Sequence, residues 1–114
     1  MTRAFYPHGL GHSLGIQTHD VGCGLRAPRA DNPFLRNTTD VAVGQVFTIE
    51  PGVYFIEALL AELRGKPESN LVDWSVVDAL APLGGVRIED DVFVEDAGVR
   101  NLTREHLPLG GGTL

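Results

Sequence analysis

Apolar and polar residues follow clear periods in the second half of the chain. The β-branched run Val46–Ile49 comes after a glycine turn and predicts a strand. Pro51 and Gly52 end this strand, and a second strand is predicted over Val53–Ile56. Glu50 stands at the junction, so a carboxylate is expected where the first strand ends.

Two helices are predicted by apolar residues that recur three or four positions apart. They span Glu57–Arg64 and Asp73–Leu80, with Asp73 as the N-cap of the second helix. The polar segment Lys66–Asn70 is expected to form a loop between them. The expected apolar faces consist of Leu59, Leu60 and Leu63 in the first helix and Trp74, Val77 and Leu80 in the second.

Alternation of apolar and polar residues over Val86–Val94 predicts one further strand. The alternation assigns four residues to two opposite faces: Val86 and Ile88 to one, and Arg87 and Glu89 to the other. A hairpin turn at Asp96–Gly98 and a returning strand at Val99–Leu102 are expected next. By contrast, Gly22–Asn37 is rich in Gly, Pro and Arg and is expected to be a long surface loop.

Size, charge and cysteine content narrow the class of protein. The 114 residues suffice for one domain or part of one, and 15 acidic against 9 basic residues give a net charge of −6. This balance argues against nucleic acid or an anionic membrane as the main partner. The one cysteine, Cys23, fits a reducing cytoplasm. The longest apolar run, Phe55–Leu63, contains two glutamates, and residues 1–4 lack a signal-peptide core, so we expect a cytoplasmic protein.

The densest cluster of chemically active residues lies near the start, in the stretch Phe5–Asp20. It contains three of the four histidines, His8, His12 and His19. Three glycines between them favour close backbone approach over regular helix. Because neutral imidazole is the commonest metal ligand and a proton carrier near neutral pH, this stretch indicates a site. Its position so close to Met1 suggests that further sequence precedes it in the intact protein.

Two glutamates are candidates to complete such a site. Glu50 and Glu89 are flanked by apolar residues that we expect to be buried, namely Ile49, Val86 and Ile88. A buried carboxylate is costly unless it is paired or bound to a cation. Glu89 could instead pair with Arg87 or face solvent, and either interpretation fits the residues alone. With His12, the two glutamates would form a nitrogen and oxygen site suited to manganese, cobalt or zinc.

Motifs of several other enzyme classes do not fit the chain. Gly9 and Gly11 lack the preceding strand and the third glycine of a dinucleotide-binding turn. The chain contains neither an HExxH helix nor a P-loop. Ser13 lacks the surroundings of a hydrolase nucleophile.

Four ordered blocks carry a family resemblance: PHGLGHSLG at 7–15, HDVG at 19–22, TIEPG at 48–52 and GVRIED at 85–90. They resemble the C-terminal half of the catalytic domain of the pita-bread metallopeptidases and, within that group, the bacterial Xaa-Pro dipeptidases (prolidases). The resemblance implies an α+β fold, with a curved antiparallel sheet flanked by helices. Residues 1–108 would form this part of the domain, and 109–114 a flexible tail.

By motif match, the resemblance implies three metal ligands. His12 would be one, Glu50 another and also the general base or proton shuttle, and Glu89 would bridge two metal ions. The family cofactor is a pair of divalent ions, usually Mn²⁺, with Co²⁺ or Zn²⁺ also possible. Family members take two further aspartate ligands from the preceding half, so this chain has three of five. The implied reaction is hydrolysis of Xaa-Pro dipeptides through a bridging hydroxide.

The resemblance also implies the residues that contact substrate. His8 and His19 match histidines that bind substrate and stabilise the tetrahedral intermediate. Arg87 matches an arginine that binds the substrate carboxylate or orders the active site. The intact relatives are expected to be homodimers, and the isolated chain to be inactive. A non-catalytic remnant or interaction module is the alternative, as is a fragment of an aminopeptidase P-type or organophosphate-hydrolysing relative.

Overall fold

A computed structural model describes residues 1–107, so the tail expected at 109–114 lies outside the described residues. The chain divides into two compact units. Unit 1 comprises Met1–His8 and Pro51–Arg87, and unit 2 comprises Gly9–Glu50 and, of the described residues, 88–107. Within the described residues, no helix combines the length and the apolar content needed to cross a membrane.

The described residues form four α-helices and five β-strands, and two 3₁₀ helices lie at Pro67–Leu71 and Ala81–Leu83. The main elements are α1 (Thr2–Phe5), β1 (Val46–Ile49), β2 (Gly52–Tyr54), α2 (Glu57–Arg64), α3 (Trp74–Leu80), β3 (Gly85–Arg87), β4 (Asp90–Glu95), β5 (Gly98–Asn101) and α4 (Leu102–His106). The predicted first strand, the helix at 57–64 and the helix capped by Asp73 are confirmed. The stretch Gly22–Asn37 contains neither helix nor strand, as expected.

Unit 1 contains a two-stranded antiparallel sheet of β2 and β3, and α1 contacts both β2 and α2. The face of α2 buries Leu60 and Leu63, because residues three positions apart lie on one side of a helix. Leu59 is only half-buried. The segment predicted as a polar loop at 66–70 is instead a 3₁₀ helix, since Pro67 at its start has a fixed φ that suits a helical first turn.

The cap of α3 is built by one carboxylate. An oxygen of Asp73 accepts hydrogen bonds from the backbone N–H groups of Ser75 and Val76, 3.0 and 3.2 Å away, and from the Ser75 hydroxyl at 2.6 Å. These bonds, the Ser75 hydroxyl first, lower the pKa of Asp73 below its usual 3.8. Asp73 therefore satisfies backbone donors that the helix itself leaves open.

We expect Asp73→Ala to lower the melting temperature by about 4–8 °C, a typical value for one helix cap in a domain of this size. Asp73→Asn is the matched control, because asparagine caps equally well without titrating. Since folding lowers the pKa of Asp73, its ionic contribution is complete above the ordinary aspartate pKa and is lost as the pH falls through the lowered value. Thermal melts over an acid series should show this loss in the wild type and not in Asp73→Asn. Identical acid profiles would contradict the assignment.

Unit 2 contains a three-stranded antiparallel sheet with the order β1-β4-β5. Ile49 of β1 lies opposite Asp90 of β4, and the turn expected after Glu95 joins β4 to β5. Val92 and Val94 of β4 are buried in this unit. The apolar positions of β4 thus supply much of its small core.

The single strand predicted over Val86–Val94 is wrong: β3 and β4 are separate strands in different sheets. Ile88 and Glu89 lie between them, outside both. The pattern failed because alternation records which face each residue occupies and not which partner strand it pairs with. The expected burial of three residues is also wrong, since the described residues leave Ile49, Val86 and Ile88 exposed. The second strand likewise ends at Tyr54 rather than Ile56.

The histidine stretch of unit 2 runs antiparallel to β1. Backbone bonds join Leu14 N–H to Val46 O (3.0 Å), Thr48 N–H to His12 O (2.9 Å) and Glu50 N–H to Leu10 O (2.7 Å). Residues 10–14 therefore act as a further strand beside β1, on the side away from β4. This pairing sets the positions of His12 and Glu50 relative to each other.

Candidate metal centre

The register of strand pairing brings the three residues predicted to bind metal to one side of unit 2. His12 lies opposite Thr48, so Glu50, two residues further along β1, is its diagonal neighbour on the same face. Continuing the pairing of Ile49 with Asp90 by one step puts Glu89 opposite Glu50. The histidine stretch, the end of β1 and the residue before β4 are adjacent segments, and they thus place one imidazole and two carboxylates next to one another.

The side chains converge as the register requires. Nε2 of His12 lies 3.4 Å from Oε1 of Glu50 and 3.9 Å from Oε1 of Glu89. The three potential ligand atoms all lie within 4.8 Å of one another. His12 and Glu50 are 3% and 6% exposed, whereas Glu89 is open to solvent. Within residues 1–107, this is the one group of three such side chains close enough to share a cation.

One hydrogen bond sets the tautomer of His12. Its Nδ1 lies 3.0 Å from the backbone oxygen of Ser13, which can only accept, so Nδ1 carries the proton. In the neutral ring, the lone pair of Nε2 is then directed toward the two carboxylates. Histidines that bind metals characteristically donate their other N–H to a carbonyl or carboxylate in this way.

The donor set fits a divalent cation. The carboxylates of Glu50 and Glu89, which are opposite each other next to the paired ends of β1 and β4, repel each other, and the lone pair of Nε2 adds a third acceptor. A cation between them would turn this repulsion into attraction. One imidazole nitrogen with carboxylate oxygens is a set that suits manganese, cobalt or zinc.

The other predicted residues are distributed over the two units. His19, in unit 2, is exposed and places its ring edge-to-face with that of His12, with centroids 4.3 Å apart at 88°. His8, in unit 1, has its Nε2 2.8 Å from the hydroxyl of Tyr54. Arg87 is the exposed last residue of β3 in unit 1.

The start of β4, directly after Glu89, is held by the polar side chains of unit 2. Asp90 accepts hydrogen bonds from the guanidinium of Arg104 and from Nδ2 of Asn101. These bonds, that of Arg104 first, lower the pKa of Asp90. Asp90 therefore has a structural role at the start of β4.

Sequence reasoning missed the residues that support the cluster. Thr48 lies between His12 and Glu50, and Ser13 supplies the carbonyl for His12. Thr48 could have been found, because it stands two residues before Glu50 in a strand and therefore shares its face. Tyr54 could not, since nothing along the chain connects it with His8.

Proteins similar to this chain include named peptidases. Two curated relatives are Xaa-Pro dipeptidases: that of Shewanella pealeana is 50% identical over 112 residues, and that of Marinobacter nauticus is 52% identical over 105 residues. The alignments cover 91% and 92% of this chain but 25% and 24% of the relatives. The chain therefore spans about a quarter of the length of these proteins.

Solved structures similar to this chain include forms of aminopeptidase P from Escherichia coli. A histidine-to-alanine variant has a TM-score of 0.55 and 31% identity over 90% of this chain and 18% of its own. A zinc-substituted form in complex with product has a TM-score of 0.53 and 30% identity over the same shares, 90% and 18%. This likeness confirms the expected α+β class and pita-bread fold. The sequence profile of metallopeptidase family M24 matches residues 2–96, and the chain belongs to that family.

Proposed function

We propose that this chain is the metal-binding C-terminal part of an Xaa-Pro dipeptidase. The observation that carries the proposal is the convergence of the His12 nitrogen and the Glu50 and Glu89 carboxylates within 4.8 Å, with the other nitrogen of His12 already bonded to a carbonyl. The dipeptidase names and higher identities of the curated relatives favour this substrate class over that of aminopeptidase P.

His12, Glu50 and Glu89 would hold part of a dinuclear centre, with Glu89 bridging the two ions. Manganese is the expected metal, with cobalt or zinc as alternatives. Three side chains cannot hold two ions, so two further ligands, expected to be aspartates, would come from the part of the relatives that this chain does not span. When bound, such a pair supplies hydroxide near neutral pH and polarises a carbonyl.

The chain's own residues would handle protons and substrate. Glu50 is buried beside His12 and would act as the general base, passing a proton to the leaving proline nitrogen. His8 and His19 would donate hydrogen bonds to the developing oxyanion. Arg87 would bind the carboxylate of the dipeptide. Because an Xaa-Pro bond has no N–H, recognition has to rely on the proline ring and this terminal carboxylate.

Cellular setting and assembly belong to the same proposal. We propose that the intact protein is a cytoplasmic homodimer, as the resemblance to the prolidases implies. A non-catalytic metal-binding or interaction module remains the competing function. A chimera in which this chain replaces the matching part of a relative distinguishes the two functions, because only a catalytic part should restore activity.

We expect the isolated chain to show no turnover of Gly-Pro with added manganese, because its ligand set is incomplete. Grafted in place of the matching quarter of the Marinobacter nauticus dipeptidase, it should restore hydrolysis of Gly-Pro, measured as released proline. The grafted chain with His12→Ala is the matched control and should be inactive. Turnover by the isolated chain that survives His12→Ala would contradict the role of the cluster. A folded but inactive chimera would favour the non-catalytic alternative, and preference for longer Xaa-Pro peptides would favour aminopeptidase P-type activity.

A further inference from the structure

One buried hydroxyl joins two of the proposed ligands. Thr48 is 2% exposed, and its Oγ1 accepts a hydrogen bond of 3.0 Å from the backbone N–H of His12. The same Oγ1 lies 3.3 Å from Oε1 of Glu50, to which it can donate its proton. A hydroxyl has one proton and two lone pairs, so the bond from His12 leaves the proton of Thr48 available for the carboxylate.

The hydroxyl takes the place of the usual backbone acceptor for His12. In an antiparallel pair, His12 N–H would donate to the carbonyl of Thr48, in return for the bond from Thr48 N–H to His12 O. Here only that second backbone bond forms, at 2.9 Å. The main chain at Gly11 packs against the Thr48 carbonyl so closely that a Cβ there would lie 1.8 Å from its oxygen. The side-chain oxygen therefore replaces the carbonyl as the acceptor for His12.

We propose that Thr48 is a positioning residue of the metal centre. Its hydroxyl binds the backbone of one ligand and the side chain of the other, so the carboxylate of Glu50 is oriented toward the ring of His12 before a cation arrives. Strand register alone puts Glu50 on the correct face but leaves its side-chain torsions free. The inference rests on the proposed role of His12 and Glu50 in binding metal.

The test compares Thr48→Val with Thr48→Ser in the full chain. Valine matches threonine in shape but has no hydroxyl, whereas serine keeps the hydroxyl and loses only a methyl group. Cobalt is the probe, because calorimetry gives its affinity and the visible absorption bands report the geometry of its ligands. Thr48→Val should bind cobalt about 10- to 100-fold more weakly, the usual effect of removing a group that orients a ligand, with altered bands. Thr48→Ser should stay within about threefold of the wild type, because the orienting group is retained.

Each outcome has a distinct meaning. Equal affinity and bands in all three proteins would overturn the role of Thr48 and leave the metal centre intact. A wild-type chain that binds cobalt no better than His12→Ala would overturn the metal assignment, and the positioning role with it. Circular dichroism without metal checks folding. If Thr48→Val is unfolded, Thr48→Ala, which also lacks the hydroxyl and adds no metal ligand, takes its place, and wild-type affinity in Thr48→Ala would contradict the inference.

Discussion

Replacing Gly11 with alanine should lower the free energy of unfolding of unit 2 by more than about 3 kcal/mol, an effect at the severe end for single substitutions. The new Cβ would lie 1.8 Å from the carbonyl oxygen of Thr48 and 2.8 Å from its carbon. Both are backbone atoms of a strand paired on both sides, so relief requires the histidine stretch to separate from β1. Denaturant unfolding followed by circular dichroism measures the loss.

Gly22→Ala is the control for this prediction. The nearest atom to a Cβ at Gly22 is the side-chain oxygen of Ser13 at 3.9 Å, and the backbone there does not adopt the left-handed conformation. Gly22→Ala should change stability by less than about 1 kcal/mol, as is usual for an exposed position without strain. If the two alanine variants unfold alike, the close approach of Gly11 to Thr48 is not a constraint of the fold.

We expect a divalent metal to stabilise the chain, and removing the imidazole of His12 should abolish that stabilisation. A ligand that binds only the folded state adds about 2.7 kcal/mol when its concentration is a hundred times its dissociation constant. We therefore expect cobalt to raise the melting temperature of the wild type and to leave that of His12→Ala unchanged. The difference between melts with and without cobalt is the measurement, because losing a buried ring also lowers stability without metal.

The matched control is His106→Ala, since His106 is exposed and lies outside the cluster. Its cobalt-dependent shift should equal that of the wild type. The His12–Glu50 contact could also be an ion pair with a protonated ring, and the experiment distinguishes the two cases. With an ion pair alone, cobalt would not stabilise any of the three proteins.

Local sequence was sufficient for elements whose residues interact within a few positions. The helix Glu57–Arg64 is set by its apolar spacing, and α3 begins where Asp73 can reach the next free N–H groups. The strand Val46–Ile49 is bounded by a glycine turn and a proline, and both signals are local. Each of these predictions was correct because the interactions that decide it lie along the chain.

Predictions failed where the partner was distant. The alternation from Val86 onward correctly indicated extended chain, but the break at Ile88 and Glu89 arises because β3 pairs with β2 while β4 pairs with β1. Sequence alone also left Glu89 open between an ion pair, a solvent-facing position and a shared cation site. Neither question can be answered without knowing which strand lies beside which.

The sequence by itself determined the chemistry available to this protein: the histidines, the two glutamates and the glycines that admit close backbone contact. Only the tertiary structure decided that His12, Glu50 and Glu89 meet, because their meeting depends on pairing between segments distant along the chain. It also decided which nitrogen of His12 faces the carboxylates and placed the Thr48 hydroxyl between two of the proposed ligands. Both follow from single hydrogen bonds that depend on register, and register is a property of the folded sheet.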